Sequence, residues 1–358
     1  MKYMVSKTMR KALLFASAYS LFGGPGGTVL LAQQEGGGSA HPDARMAAAS
    51  VNTRTILCSE KINEPNSQLG MQSKARWFCA NGLRLMTANG IPDHATGTFP
   101  NPDDPHSIAE QTITYAATLS PITLSGSGQP IKVSGYALNG IKFDAGTAGR
   151  CESGTIDPST CDLAGGSGPW NIEFLGQSIF AFGADENHGH VQATGEYHYH
   201  GVPEAMLSPE NRAGKAMQLI GWAADGFPIY ARYGHDNPEA GTSPLRAMQS
   251  SYRLKSVPDA DRPDAAIMPM GTFTQDFEYS EGAGDLDECN GRFGVTPEFP
   301  AGIYHYYATD SFPFIQRCVK GSPFSLSSQA APVTEGTEDD RDEERRDRRP
   351  PPPGSPPR

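Results

Sequence analysis

The sequence predicts a mostly β or α+β fold: a single compact, disulfide-stapled, β-rich domain with long loops over residues 51–322, flanked by disordered termini. Three observations predict it. Glycine (40) and proline (30) are abundant, charged residues reach only 19%, and long apolar periodic runs are few, which suits short strands and loops better than a helical bundle. Short runs of β-branched and aromatic residues recur from Thr112 onward, bounded by turn residues. Six cysteines, an even number with none spaced C-x-x-C, read as structural disulfides rather than a zinc ribbon or a redox pair.

Taken in order, the chain opens with Lys2, Lys7, Arg10 and Lys11 before an apolar run from Ala12 to Phe22. This is the pattern of a signal peptide over residues 1–32, and it predicts an exported protein, periplasmic or secreted. No later apolar stretch approaches the ~20 residues of a spanning helix, so no stable membrane insertion is expected after signal removal. Residues 33–50, rich in Gly, Ala and Ser, read as a flexible leader. Lys74 to Met86 is expected to form a short helix, and Ile91 to His106 a long loop whose His94 and His106 are solvated. Strands are expected at 113–119 and at 131–138 with a hairpin turn at Asn139-Gly140, and further strands or strand–helix edges at 170–175 and at 178–182. Ser208-Pro209-Glu210 should start a short helix. Met217–Ala223 turns through Asp225-Gly226 into another strand, and a loop from Arg232 to Thr272 holds one strand near Tyr252. Residues 323–358, charged and then proline-rich, cannot bury a core and read as a disordered tail. Sequence proximity favours the pairings Cys58–Cys79, Cys151–Cys161 and Cys289–Cys318.

The formal charge of −11, from which loss of residues 1–32 would remove four bases and no acids, disfavours nucleic acid as a partner. Four of the nine histidines lie between positions 188 and 200. In the run Tyr197-His198-Tyr199-His200, strand alternation places both imidazoles on one face and both tyrosines on the other. With His188-Gly189-His190 just upstream, two His-x-His pairs can converge on one point.

Two segments match in outline. Asp185-Glu186-Asn187-His188-Gly189-His190 is followed by Tyr197-His198-Tyr199-His200, and Asp287-Glu288-Cys289-Asn290-Gly291-Arg292 by Tyr304-His305-Tyr306-Tyr307. The order predicts an internal duplication into two related units facing one another across a shared site. The second unit carries Arg292 and Tyr307 where the first carries histidines, so any metal should sit nearer the first. These blocks, with Ala137–Ile141, Asp225–Tyr230 and Phe312-Pro313-Phe314, resemble the YHYH-domain family over about Ser134 to Gly321. The family consists mostly of exported bacterial proteins without a settled activity, so the resemblance implies a compartment more than a mechanism.

Neutral imidazole suits late transition metals. His188, His190, His198 and His200, with His305 as a possible fifth, are the candidate ligands for copper or zinc. Asp185, Asp225, Asp287, Glu288, Tyr197, Tyr199 and Arg292 are candidates to surround and orient them, with Asp185, Asp287 and Glu288 alternatively carboxylate ligands. The plainer alternative is a buried His/Tyr/carboxylate hydrogen-bond network. The expected function is therefore a metal-binding exported protein whose partner is a metal ion or a small molecule. The alternatives are a metal-dependent hydrolytic or oxidative enzyme, or a carbohydrate- or protein-binding module presenting tyrosines and Trp170 or Trp222. G-x-S-x-G and H-E-x-x-H motifs are absent from the sequence, as are a Walker loop and a dinucleotide fingerprint, which leaves no nucleotide cofactor expected.

Overall fold

A computed structural model describes residues 53–54 and 56–324. The expected signal peptide, the leader and nearly all of the tail lie outside the described residues. The architecture is mostly β, with two principal sheets sharing one apolar core. The first sheet is an antiparallel meander of β1 (Lys61–Asn66), β2 (Met71–Ala80), β3 (Leu83–Ala88) and β4 (Ile113–Thr118). The helix expected at Lys74–Met86 is instead the β2–β3 hairpin, turning at Asn81-Gly82 with φ of 50° and 77°. Its Lys, Ala, Arg and Leu content favours helix only weakly. What decides is the period-two alternation that buries Ser73, Ala75 and Trp77 and exposes Lys74 and Arg76.

The second sheet has eight strands. They are β5 (Val133–Ala137), β6 (Lys142–Asp144), β7 (Gly189–Val191), β8 (Tyr197–Tyr199), β9 (Gln218–Ala223), β10 (Pro228–Ala231), β11 (Gly291–Gly294) and β12 (Ile303–Ala308). Their spatial order is β7-β8-β6-β5-β9-β10-β12-β11. This order is a palindrome of two like halves. Each half has an antiparallel hairpin (β5–β6 or β9–β10), a parallel step to a Tyr-His-Tyr strand (β8 or β12), and an antiparallel edge strand (β7 or β11). The halves join antiparallel through β5 and β9. Even the register shift recurs, between Val133 and Gly135 in one hairpin and between Leu219 and Gly221 in the other.

The expected duplication is therefore present in three dimensions, but the two units do not face one another. Strands β8 and β12 lie five strand steps apart, at about 4.8 Å per step, toward opposite ends of one sheet.

The meander packs on the centre of the large sheet. Trp77 Nε1 donates to Leu138 O (2.8 Å) and Tyr115 Oη to Ala223 O (2.6 Å). The buried Arg84 guanidinium lies 3.6 Å over the Trp222 ring while donating to the carbonyls of Thr53, Ile56 and Leu57. Residues 61–118 thus share the main core rather than forming a lobe of their own.

All three disulfides pair as expected, with Cα–Cα distances of 5.0, 4.5 and 5.0 Å. Helix α1 (Pro209–Arg212) starts at the expected place, with Ser208 Oγ accepting from Asn211 N. The strand expected at 170–175 shrinks to Trp170–Asn171, and no strand forms at 178–182. There the Gln177 side chain satisfies the amides of Ile179 and Phe180 that a ladder would have used. The 232–272 loop is more ordered than expected, with strands at Tyr233–His235, Leu245–Ala247 and Tyr252–Leu254. Among the described residues no helix is long and apolar enough to cross a membrane.

Candidate metal centre

The centre is built on the hairpin of β7 and β8. A tight turn precedes β7, organised by one carboxylate. Asp185 Oδ1 accepts from Asn187 N (2.8 Å) and Gly189 N (3.1 Å), and its Oδ2 accepts from Tyr197 Oη (2.7 Å) and Gly97 N (3.0 Å). His188 sits in the left-handed region at φ 55°, and its Nδ1 donates to Val202 O (2.8 Å). Gly189 must be glycine: a Cβ there would lie 2.6 Å from the Tyr197 ring and hydroxyl. The turn fixes the register that sets His190 directly opposite His198.

From this register three imidazoles converge. One potential ligand nitrogen from each of His190, His198 and His200 lies within 4.8 Å of the others. Backbone carbonyls orient two of the rings. His190 Nδ1 donates to Phe182 O (2.9 Å) and His198 Nδ1 to Glu196 O (3.3 Å). A carbonyl can only accept, so both Nδ1 atoms carry hydrogen and both Nε2 atoms keep a lone pair, the arrangement found at metal-ligating histidines, with the His198 lone pair accepting from His200 Nε2. His200 Nε2 lies 3.0 Å from His198 Nε2. The His200 ring stacks on Phe174 (centroids 3.7 Å, interplanar angle 19°), which stacks in turn on Phe182.

Burial pushes the pKa of all three histidines down, His198 and His200 well below 6.5; neighbouring imidazoles and Lys142 reinforce this at His198 and His200, while the Phe182 carbonyl, Asp104 and Asp144 oppose it at His190. The imidazoles are therefore neutral at physiological pH, the form that ligates.

The opposite face of β8 does the packing. Tyr197 and Tyr199 are fully buried. Tyr199 Oη meets Asn139 Nδ2 (2.9 Å) and His94 Nε2 (2.5 Å). His94, expected to be solvated, is thus part of this network. His106 donates from Nδ1 to Asp104, whose other oxygen accepts from Val191 N of β7.

The remaining sequence candidates stand outside the triad. His188 is held by Val202, as above. His305 donates from Nδ1 to Ile303 O and meets Tyr307 Oη at Nε2 (2.8 Å). Asp287 accepts from Tyr304 Oη, Cys289 N and Gly291 N; Asp225 accepts from Tyr306 Oη, Phe227 N and Gly321 N. Glu288 pairs with Lys320, and Arg292 donates to His235 O. All of these except His188 belong to the second unit. The sequence reading missed Phe174, the Phe182 carbonyl and Lys142, whose Nζ is held by Glu196 (2.9 Å) and Gln192 (3.2 Å). Only the pairing of His198 with Lys142 across β8–β6 brings that cation beside the triad.

Such a two-unit β architecture, with paired Tyr-His-Tyr strands braced by turn carboxylates, defines a class by its signature strand. The family model described as YHYH protein matches residues 114–321, beginning ahead of Ser134 so that most of β4 is included. The chain belongs to that family. No curated protein and no solved structure matches it.

Proposed function

We propose that this chain is an exported protein that binds one late first-row transition ion, copper or zinc, through His190, His198 and His200. One observation carries the reading: three neutral imidazole nitrogens converge within 4.8 Å, two of them with lone pairs fixed by backbone carbonyls. Tetrahedral nitrogen ligands at ~2.0–2.1 Å from zinc lie about 3.4 Å apart, so ring adjustments of about 1 Å or less per nitrogen suffice, His198 and His200 parting slightly from 3.0 Å. Three disulfides support the exported compartment.

A second reading, a metal-dependent enzyme, is favoured by the ligand count. Among the described residues no fourth His, Cys, Asp or Glu joins the group, which leaves a coordination position for water or substrate. The carbohydrate-platform reading loses support because Trp170, Trp222 and the tyrosines of both Tyr-His-Tyr strands are buried.

Elemental analysis of the untagged full chain, produced in an oxidising compartment, should find about one copper or zinc per molecule. His198→Ala and His200→Ala should each bring that to near zero while the fold is retained. A wild-type protein that neither carries nor takes up either ion would leave the imidazoles as a structural network. Substitution with cobalt(II) separates the two metal readings: a visible spectrum that shifts on adding azide marks an exchangeable position, and an unresponsive one marks a closed site.

A further inference from the structure

The second unit repeats the metal centre position for position. The ladder that sets His190 opposite His198 sets Arg292 opposite His305, and the residue two positions further on is His200 in one unit and Tyr307 in the other. The scaffold is the same down to single atoms. Asp287 Oδ1 accepts from Cys289 N and Gly291 N, and its Oδ2 from Tyr304 Oη, as Asp185 does from Asn187, Gly189 and Tyr197. Asn290 takes the left-handed φ of His188 (59° and 55°). A Cβ on Gly291 would strike the Tyr304 hydroxyl at 2.2 Å, as one on Gly189 would strike that of Tyr197. Asp225 braces Tyr306 as Asn139 braces Tyr199.

The central imidazole is also presented alike. His305 Nδ1 donates to the carbonyl two residues back, at Ile303, as His198 Nδ1 does to Glu196. The lone pair on His305 Nε2 therefore points where a ligand lone pair points in the first unit. The Tyr307 hydroxyl meets it at 2.8 Å, where His200 Nε2 meets His198 Nε2 at 3.0 Å, and it must donate, since that His305 nitrogen carries no hydrogen; unlike an imidazole, the tyrosine offers no neutral nitrogen lone pair in its place. The positive charge is built in as well. The Arg292 guanidinium carbon lies 5.6 Å from the Tyr307 ring centroid, and Arg292 Nη2 donates to His235 O (2.6 Å). Gly234 leaves room for this, because a Cβ there would come 2.3 Å from the Tyr307 hydroxyl and 2.9 Å from the guanidinium.

We propose that the Arg292–His305–Tyr307 cluster is a second, disused copy of the metal centre, in which the Tyr307 proton and the Arg292 guanidinium take the place of a late first-row transition ion. The proposal rests on the metal reading of the first unit, so wild-type stoichiometry is measured in the same titration and reports on that reading alone. The test is Arg292→His with Tyr307→His, titrated with cobalt(II) or copper(II) and followed by elemental analysis and circular dichroism. A folded double variant that binds one more ion per chain than the wild type, and loses that ion on further His305→Ala substitution, is the expected result. A folded double variant with wild-type stoichiometry overturns the proposal. Should the double variant not fold, the reverse exchange, His190→Arg with His200→Tyr, decides. A folded, metal-free protein that melts no lower than the metal-stripped wild type supports the replacement, and a protein that cannot fold overturns it.

Discussion

Replacing Asp185 with alanine is expected to lower stability by about 3 kcal/mol and to weaken the proposed metal binding by roughly 10–100-fold, although Asp185 is not itself one of the three candidate ligands. The carboxylate collects four donors: the amides of Asn187, Gly189 and Gly97, and the Tyr197 hydroxyl. Alanine leaves all four without that acceptor in a partly buried turn, and the cost arises from stranded donors more than from lost attraction. The effect on metal follows from register. The turn holds His188 at φ 55° and sets His190 across from His198; once it loosens, one candidate ligand of three is no longer placed. The internal duplication supplies the control. Asp287→Ala strands the Tyr304 hydroxyl and the amides of Cys289 and Gly291 and should cost a similar amount of stability, yet leave metal affinity unchanged. Urea unfolding with competitive metal titration of both variants is the measurement. Equal loss of affinity in the two would mean that Asp185 acts through global stability and not through placement.

What could be read from the sequence was local, and what could not was set by distant packing. The three disulfides close short loops, and the Asn139-Gly140 and Asp225-Gly226 turns are two-residue signals, so both were within reach. The two faces of Tyr197–His200 follow from strand alternation alone. The 74–86 segment misled because helix-favouring side chains sit on a hairpin whose alternation reflects burial against the second sheet. The placing of His305 failed for a different reason. Two similar strand motifs look equally able to join one site until the sheet order puts them at opposite ends of it. The stacking of Phe174 on His200 and the placing of Lys142 beside His198 depend on chain crossings that no local pattern encodes. The duplication itself was visible only as Asp-x-x-x-Gly before Tyr-His-Tyr. Its other half, the β5–β6 and β9–β10 hairpins, shares little more than a register shift and an Asn-Gly or Asp-Gly turn.

Stability should also carry a pH signature from the second unit. Burial raises the carboxyl of Asp287 from 3.8 to about 6, against the opposing pull of its hydrogen bonds from Tyr304 and Gly291. A carboxyl whose pKa is higher folded than unfolded favours the folded state when protonated. Between about pH 4 and pH 6 the folded chain keeps a proton that the unfolded chain has released, so the Asp287 contribution declines as pH rises through that window and stays low above it. At about 1.4 kcal/mol per pKa unit the change amounts to roughly 2 to 3 kcal/mol. Asp287→Asn removes this titration while keeping the turn, because the amide oxygen can accept from Cys289 N and Gly291 N and the amide NH2 can donate to the Tyr304 hydroxyl. In urea unfolding at pH 4, 5, 6 and 7, the variant should therefore gain on the wild type by about 2 to 3 kcal/mol from the lowest pH to the highest. Parallel stability curves for the two proteins would show instead that the three donors to Asp287 outweigh its desolvation, and that the carboxylate is an anchor of the second turn at every pH in that range.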